Sequence, residues 1–337
     1  MKLFLMLSLG FIGLGLSATA QVNTNIKALK DKAVEIKSAE DANYQKTLKL
    51  AKEKGWDLVL TGRRGAKAYL VGTFEDGSPR YYTVYNNIIA AATTRANQLW
   101  AGGASGLNLS GSSANMKNKL AIWDGGKVLS THVELTGRIT QVDAPSSLSD
   151  HATHVTGTMI ASGVNPIAKG MAYGIQGILA YDFDNDVSEM TNAAANLVLS
   201  NHSYGIISGW YYNSAPSDGS AARWEFRGRF GENEDYKFGY YDAVAKQLDD
   251  IAYNAPYYLI VKAAGNNRGE TGPVVGAAYY RYNASGTMAA AGVRPTGISS
   301  NDGYDVIPMD ANAKNILTIG AVSGISAGYS KPANEFV

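Results

Sequence analysis

Between residues 25 and 54 apolar side chains recur at helical spacing. Ile26, Leu29, Ala33 and Ile36 form one stripe, and Lys and Glu fill the other faces. This predicts an amphipathic helix with Gly55 as its stop. The period then shortens. Leu58-Val59-Leu60 precedes a turn at Gly62 to Gly65. Ala68 to Phe74 and Arg80 to Tyr85 flank Glu75-Asp76-Gly77-Ser78-Pro79, a hairpin signal. A second helix is predicted over Asn87 to Leu99. Gly102 to Ser113, rich in Gly, Ser and Asn, reads as a linker. Beyond it the pattern changes. Apolar runs at Leu120 to Trp123, Gly177 to Tyr181, Asn196 to Ser200, Tyr257 to Ala263 and Asn315 to Val322 read as strands. Between them lie helical stretches, His151 to Ser162, Val187 to Ala195 and Tyr241 to Tyr253. Such alternation predicts an α/β fold, a mostly parallel sheet with helices on both faces, preceded by a small α+β unit. No internal repeat or heptad pattern is present.

The chain has 337 residues, enough for two domains or one large one. Apolar residues are 45% of it and charged residues 18%, so a sizeable core can be buried. A net charge of +1 without a long basic run gives no reason to expect nucleic-acid binding or electrostatic attraction to a membrane. With no cysteine, disulfides, thiolate metal sites and cysteine nucleophiles are excluded. Lys2, the apolar stretch Leu3 to Leu16 and Ala18-Thr19-Ala20 predict a signal peptide cleaved after Ala20. A secreted, extracellular protein is therefore expected, with no membrane association once the signal is removed. The expected division is a signal peptide at 1–20, an α+β unit at 21–100, a linker at 101–116 and the sheet domain from 117 to 337.

Three segments carry candidate chemistry. Ala121-Ile122-Trp123-Asp124-Gly125-Gly126 is an apolar strand ending in a carboxylate, and ligand groups gather at that edge of open α/β sheets. Asp150-His151-Ala152-Thr153-His154-Val155-Thr156-Gly157-Thr158 opens a small-residue helix. A buried Asp near a His at a helix start can orient the imidazole as a general base. His151 is the expected base, and His154 is expected to be buried and structural. In Lys262-Ala263-Ala264-Gly265-Asn266-Asn267, small residues would let a substrate approach, and an amide can donate to a developing oxyanion; a plain Gly-Asn turn is the competing reading. A fourth stretch, Asn201-His202-Ser203-Tyr204-Gly205, ends another strand and leaves an edge on which an extended peptide could pair. His202 there reads as a satisfied structural histidine.

In this order these segments resemble the Asp motif, the His motif, the cleft-lining stretch and the oxyanion stretch of the subtilases, the subtilisin-like serine proteases. The resemblance spans roughly Leu120 to Val322. It implies a subtilisin-like fold, here incomplete, and endopeptidase cleavage of polypeptide substrates through an acyl-enzyme. Asp124 would orient His151, His151 would act as base and then acid, and Asn266 would serve the oxyanion. Ser203, Tyr204, Gly205, Ala264 and Gly265 would bind substrate. The α+β unit stands where the family carries a pro-region, which implies an intramolecular inhibitor.

Ala152 replaces a motif glycine. No calcium loop is recognisable in Ala161 to Ala172, and no metal or other cofactor is expected. The nucleophile motif Gly-Thr-Ser-Met-Ala does not occur. Ser285-Gly286-Thr287-Met288-Ala289 resembles it only superficially and reads as an insertion loop. The expectation is an N-terminal fragment, inactive by itself, whose catalytic serine is not in this chain. Residues 206 to 240 form an aromatic, charged insertion that could wall the cleft or pack on itself. A pseudoprotease or binding module is the alternative, and a metal hydrolase using His151 and His154 a weaker one, since no Glu lies between them.

Overall fold

The computed structural model describes residues 24–61, 67–84, 91–300 and 305–322. The expected signal peptide and the turn at 62–65 lie outside the described residues. Helix α1 (Ile26–Lys54) is capped by the Asn25 side chain, which accepts from the Ala28 amide at 3.1 Å, and ends at Gly55 in the left-handed region at φ 66°. Both termini thereby satisfy otherwise orphaned backbone groups. Strands β1 (Val59–Thr61), β2 (Lys67–Thr73) and β3 (Pro79–Val84) follow as antiparallel neighbours. The helix expected over 87–99 is corrected for its described part. Residues 91–99 form turns and a single 3₁₀ turn at Ala96–Gln98. Arg95 adopts a left-handed conformation at φ 60°, which an α-helix cannot contain. The linker is held down: Trp100 Nε1 donates to the Met171 carbonyl at 2.9 Å, and the Gly174 amide donates to Ser110 O at 2.8 Å.

The sheet domain begins with β4 (Leu120–Asp124) and β5 (Ile139–Gln141), then α2 (Asp150–Ile160), β6 (Ile178–Asp182) and α3 (Asp186–Ala193). It continues through β7 (Leu199–His202), β8 (Tyr204–Ile206), β9 (Trp210–Asn213) and β10 (Arg223–Phe226). Helix α4 (Ala243–Asn254) and β11 (Leu259–Ala263) are followed by β12 (Ala278–Tyr282), β13 (Met288–Val293) and β14 (Leu317–Ile319). Six strands form one sheet in the order β14-β11-β7-β4-β6-β5, and every pairing in it is parallel. The α/β expectation holds. Strand β5 was not anticipated, because three residues at an edge are too few to show a period. Strand β7 begins later than expected, since a 3₁₀ turn occupies Ala194–Asn196.

Strand β4 is buried along its length, as a central parallel strand covered on both faces should be. Trp123 is fully buried, stacked on Tyr181 with centroids 4.2 Å apart and on His202 at 5.2 Å. Its indole donates to Glu189 at 2.9 Å. Leu29 and Ile36 of α1 and Tyr82 of β3 join the same core as Trp123, Met190 and Leu248. The N-terminal unit therefore shares its core with the sheet domain. After α2, Glu134 organises the chain by accepting the amides of Gly163, Val164 and Asn165 at 2.7 to 3.1 Å. These bonds hold its carboxyl down at about 2.

The insertion at 206–240 contributes to a second sheet, ordered β13-β12-β10-β9. Trp210 and Phe226 bury against Tyr279 and Ile298 there. The segment around Ser285 is the exposed turn between β12 and β13, where Ser285 Oγ donates to Asn283 Oδ1 at 2.7 Å.

Candidate active site

Parallel strands put their C-terminal ends on one sheet edge. Trp123, His202 and Lys262 lie in register across β4, β7 and β11. The residues that follow them, Asp124, Ser203 and Ala263, therefore share one rim. This is where the chain crosses from one side of β4 to the other, the usual ligand position in open α/β sheets.

Asp124 is fully buried. A buried carboxylate needs partners, and it has them. The Gly125 amide donates at 2.8 Å, and His151 Nδ1 lies 2.8 Å from Oδ1 and 2.9 Å from Oδ2. A side chain on Gly125 would meet the Phe183 and Tyr69 rings at 3.2 and 3.3 Å, so the glycine permits the close approach. His151 is set by the helix start. Ser149 caps α2 by accepting from the Ala152 amide at 3.0 Å, which fixes the first turn and the imidazole in it. Ala152 is fully buried, so a methyl fits where the related motif carries glycine.

His154 departs from expectation. It is exposed, not buried. The buried face of α2 runs through His151, Ala152, Val155 and Thr156, and position 154 falls on the flank facing solvent. Among the described residues no group of three or more His, Cys, Asp or Glu is arranged to hold a metal.

The two adjacent amides differ in exposure. Asn267 is buried, and its Oδ1 accepts from the Ser208 amide at 3.2 Å. Asn266 is exposed at the end of β11, where a donor could face a bound group. Beside it Gly265 takes φ 87°, and a Cβ built on Gly205 would meet Gly265 Cα at 3.7 Å. Two backbones expected to bind substrate thus run side by side. Ala264 donates its amide to the Ile319 carbonyl at 2.9 Å, and Ser203 Oγ accepts from Asn201 Nδ2 at 2.8 Å.

The edge expected to receive a peptide is already filled by the chain's own β3. Tyr82 pairs with Ile206, Thr83 with Gly205 and Val84 with Tyr204, antiparallel. The Tyr82 ring lies 4.8 Å from that of Tyr204 and 5.4 Å from that of Phe183. Tyr69, on the neighbouring strand, has its phenol raised by burial and then by Asp124 and Asp150. These residues of the N-terminal unit were not singled out from the sequence. The one available signal was the aromatic strand Tyr81 to Tyr85 after the hairpin.

Beneath the rim a buried chain of hydrogen bonds joins Tyr258, Ser200, His202, Tyr204 and Asp186 at 2.6 to 2.9 Å. Burial, with Lys262 nearby, holds His202 well below its usual range. Both its ring nitrogens have partners, as expected of a satisfied structural histidine. Around this chain, burial raises Glu189 to about 9 and Asp182 to about 7.

Glu40 of α1 accepts from the Ser188 amide of α3 at 3.3 Å. Burial first, then Asp186, raises its carboxyl from an ordinary 4.5 to about 7. A carboxyl raised on folding adds stability that is complete below its unfolded value and lost as pH rises through the folded one. Wild-type protein should therefore lose stability from this group as pH rises from about 4.5 through about 7. Glu40→Gln should flatten that part of the decline in melting temperature, leaving the part due to other carboxyls that burial raises, among them Asp182, Asp184, Asp186, Asp242 and Glu189. Identical pH profiles for wild type and variant would contradict this assignment.

Comparison with known proteins adds three findings. The comparison with curated proteins gave no match. Among solved structures the chain is similar to the epidermin leader peptide processing serine protease of Staphylococcus aureus, at 16% identity and a TM-score of 0.30. That similarity covers 55% of this chain and 46% of the other, so the chain spans less than half of that protein's length. Residues 113–335 match the model of the subtilase family. With the Asp124–His151 pair at the rim of a parallel sheet and most of its length matched, the chain belongs to the subtilase family.

Proposed function

We propose that the chain carries the Asp–His part of a secreted serine endopeptidase that cleaves polypeptides through an acyl-enzyme. The observation carrying this reading is the buried Asp124 with both oxygens within 2.9 Å of His151 Nδ1. Holding Nδ1–H against a carboxylate leaves Nε2 as the basic nitrogen and stabilises the imidazolium formed when a serine is deprotonated. Asn266 donates to the oxyanion as the carbonyl becomes tetrahedral. His151 then returns the proton to the leaving amine. Ser203 to Gly205, with Ala264 and Gly265, hold the substrate strand.

In this reading the unit at 21–100 is a pro-region, and β3 on β8 blocks the cleft as a substrate strand would fill it. The nucleophile lies outside the 337 residues, which contain no Gly-Thr-Ser-Met-Ala. Export and removal of residues 1–20 belong to the same proposal.

The test compares residues 21–337 with the same chain extended by a segment bearing that motif. Alone, the chain should give no specific labelling with a fluorophosphonate probe and background peptide hydrolysis. The extended chain should gain both. Specific labelling of the unextended chain would overturn the assignment, with Ser285 the first residue to map.

A further inference from the structure

Strand β3 carries a basic residue two positions before the ring that meets Tyr204, and in an extended strand both side chains project to the same face. Arg80 Nη2 donates to the Tyr82 hydroxyl at 2.8 Å and lies 3.8 Å from Asp310 Oδ2. Asp310 is 1% exposed and is held by Lys262 Nζ at 3.1 Å. Arg80 and Tyr82 also border a cavity of about 260 Å³ that Asp186 and Asp242 help to line. Arg229 borders it too, but is committed to Asp76 at 2.8 Å.

Consider what the sheet domain presents without the N-terminal unit. Asp186, Asp242 and Asp310 are three carboxylates, against the single ammonium of Lys262 in their midst. Once an extended segment covers it, a cluster with excess negative charge is costly unless a cation joins it. Arg80 is that cation here; Glu40, which the same unit brings to the cavity beside Asp186, has its carboxyl raised to about 7 by burial and by Asp186, so it adds little negative charge below that pH. The ring beside it enters a wall made by Tyr204 and Phe183. The backbone between is held by strand pairing, with the Ile207 amide donating to Tyr81 O at 3.0 Å.

We infer that β8 and the Asp310–Asp186–Asp242 cluster form a cation subsite that selects extended peptides carrying Arg two residues before an aromatic ring, with β3 as the resident occupant. This rests on the reading of the N-terminal unit as a cleft-blocking pro-region. It extends that reading from backbone pairing to side-chain selectivity. Backbone pairing tolerates any sequence, whereas an acidic subsite at a fixed spacing from an aromatic wall does not.

Two measurements on the full 337-residue chain test it, and neither requires turnover. The first is hydrogen exchange at the Ile207 amide, referenced to the Leu259 amide that bonds Val198 O within the domain. Arg80→Ala and Asp310→Asn should each speed Ile207 exchange at least about tenfold relative to Leu259. The double variant should add little more, as expected for residues that share one interaction. No acceleration, or fully additive effects, would overturn the subsite.

The second uses the Arg80→Ala/Tyr82→Ala chain, which weakens the resident strand. A dye-labelled Arg-Tyr-Tyr-Thr-Val peptide should bind at least about tenfold more tightly than Ala-Tyr-Tyr-Thr-Val. Equal affinity, or no binding to folded protein, would overturn it. Should that variant fail to fold, the exchange cycle decides alone. If both measurements fail while hydrolysis by the extended enzyme still needs His151, the subsite falls and the protease reading stands. If hydrolysis does not need His151, the protease reading falls, whatever the peptide results.

Discussion

Replacing His151 by alanine is expected to lower turnover of the extended enzyme by about 10⁶, the scale seen when the base of a Ser-His-Asp unit is removed. His151 is the imidazole that Asp124 orients, with Nδ1 2.8 and 2.9 Å from the two carboxylate oxygens. Without the ring no group accepts the serine proton, and Asp124 loses the partner that offsets its burial. Some loss of stability should accompany the kinetic loss, but the fold should persist, since β4 and the rest of the buried face of α2 remain packed. His154→Ala supplies the contrast. Its side chain is exposed, so turnover should stay within about twofold, and stability should change by no more than about 0.5 kcal/mol. Measuring kcat and melting temperature for both variants separates the roles. A large kinetic loss for His154→Ala with His151→Ala active would reverse the assignment.

How much of this was legible in the sequence follows from the range of each signal. The parallel sheet was readable because apolar runs such as Leu120 to Trp123 and Tyr257 to Ala263 alternate with helical periods, a local pattern. The contact between Asp124 and His151 was readable because a strand-end Asp and a helix-start His occur in recognisable motifs. His202 as a satisfied structural residue was also anticipated.

What stayed hidden depends on contacts between distant segments. Nothing near Tyr82 announces that it pairs with Ile206, because strand pairing has no local sequence signature beyond alternation. The cation Arg80 and its acidic surroundings come together only once β3, α3, α4 and the 3₁₀ turn at Met309–Asn312 are assembled. Position 154 was misjudged because two histidines three apart suggest a shared face, whereas the width of the buried stripe on α2 decides which of them is covered. The helix expected at 87–99 failed, over its described part, on a backbone feature. The left-handed Arg95 lies in a run whose composition is otherwise compatible with a helix.

The shared core of the N-terminal unit and the sheet domain bears on regulation. Leu29, Ile36, Phe74 and Tyr82 pack with residues of β4, α3 and α4, so release of the unit must expose apolar surface on both sides. If the unit is the proposed pro-region, it should leave slowly unless cut, and with the Glu40 carboxyl raised by burial its hold should weaken as pH rises.

The most direct test of the central claim is Asp124→Asn in the extended enzyme. The amide keeps the shape of the carboxylate but removes its charge, and its NH2 can favour the wrong imidazole tautomer. A fall in kcat of roughly 10⁴ is expected, the loss that the same change produces in another Ser-His-Asp enzyme, with folding and peptide binding retained. Turnover within about tenfold of wild type, from a properly folded variant, would contradict the assignment of Asp124 and His151 as a working catalytic pair.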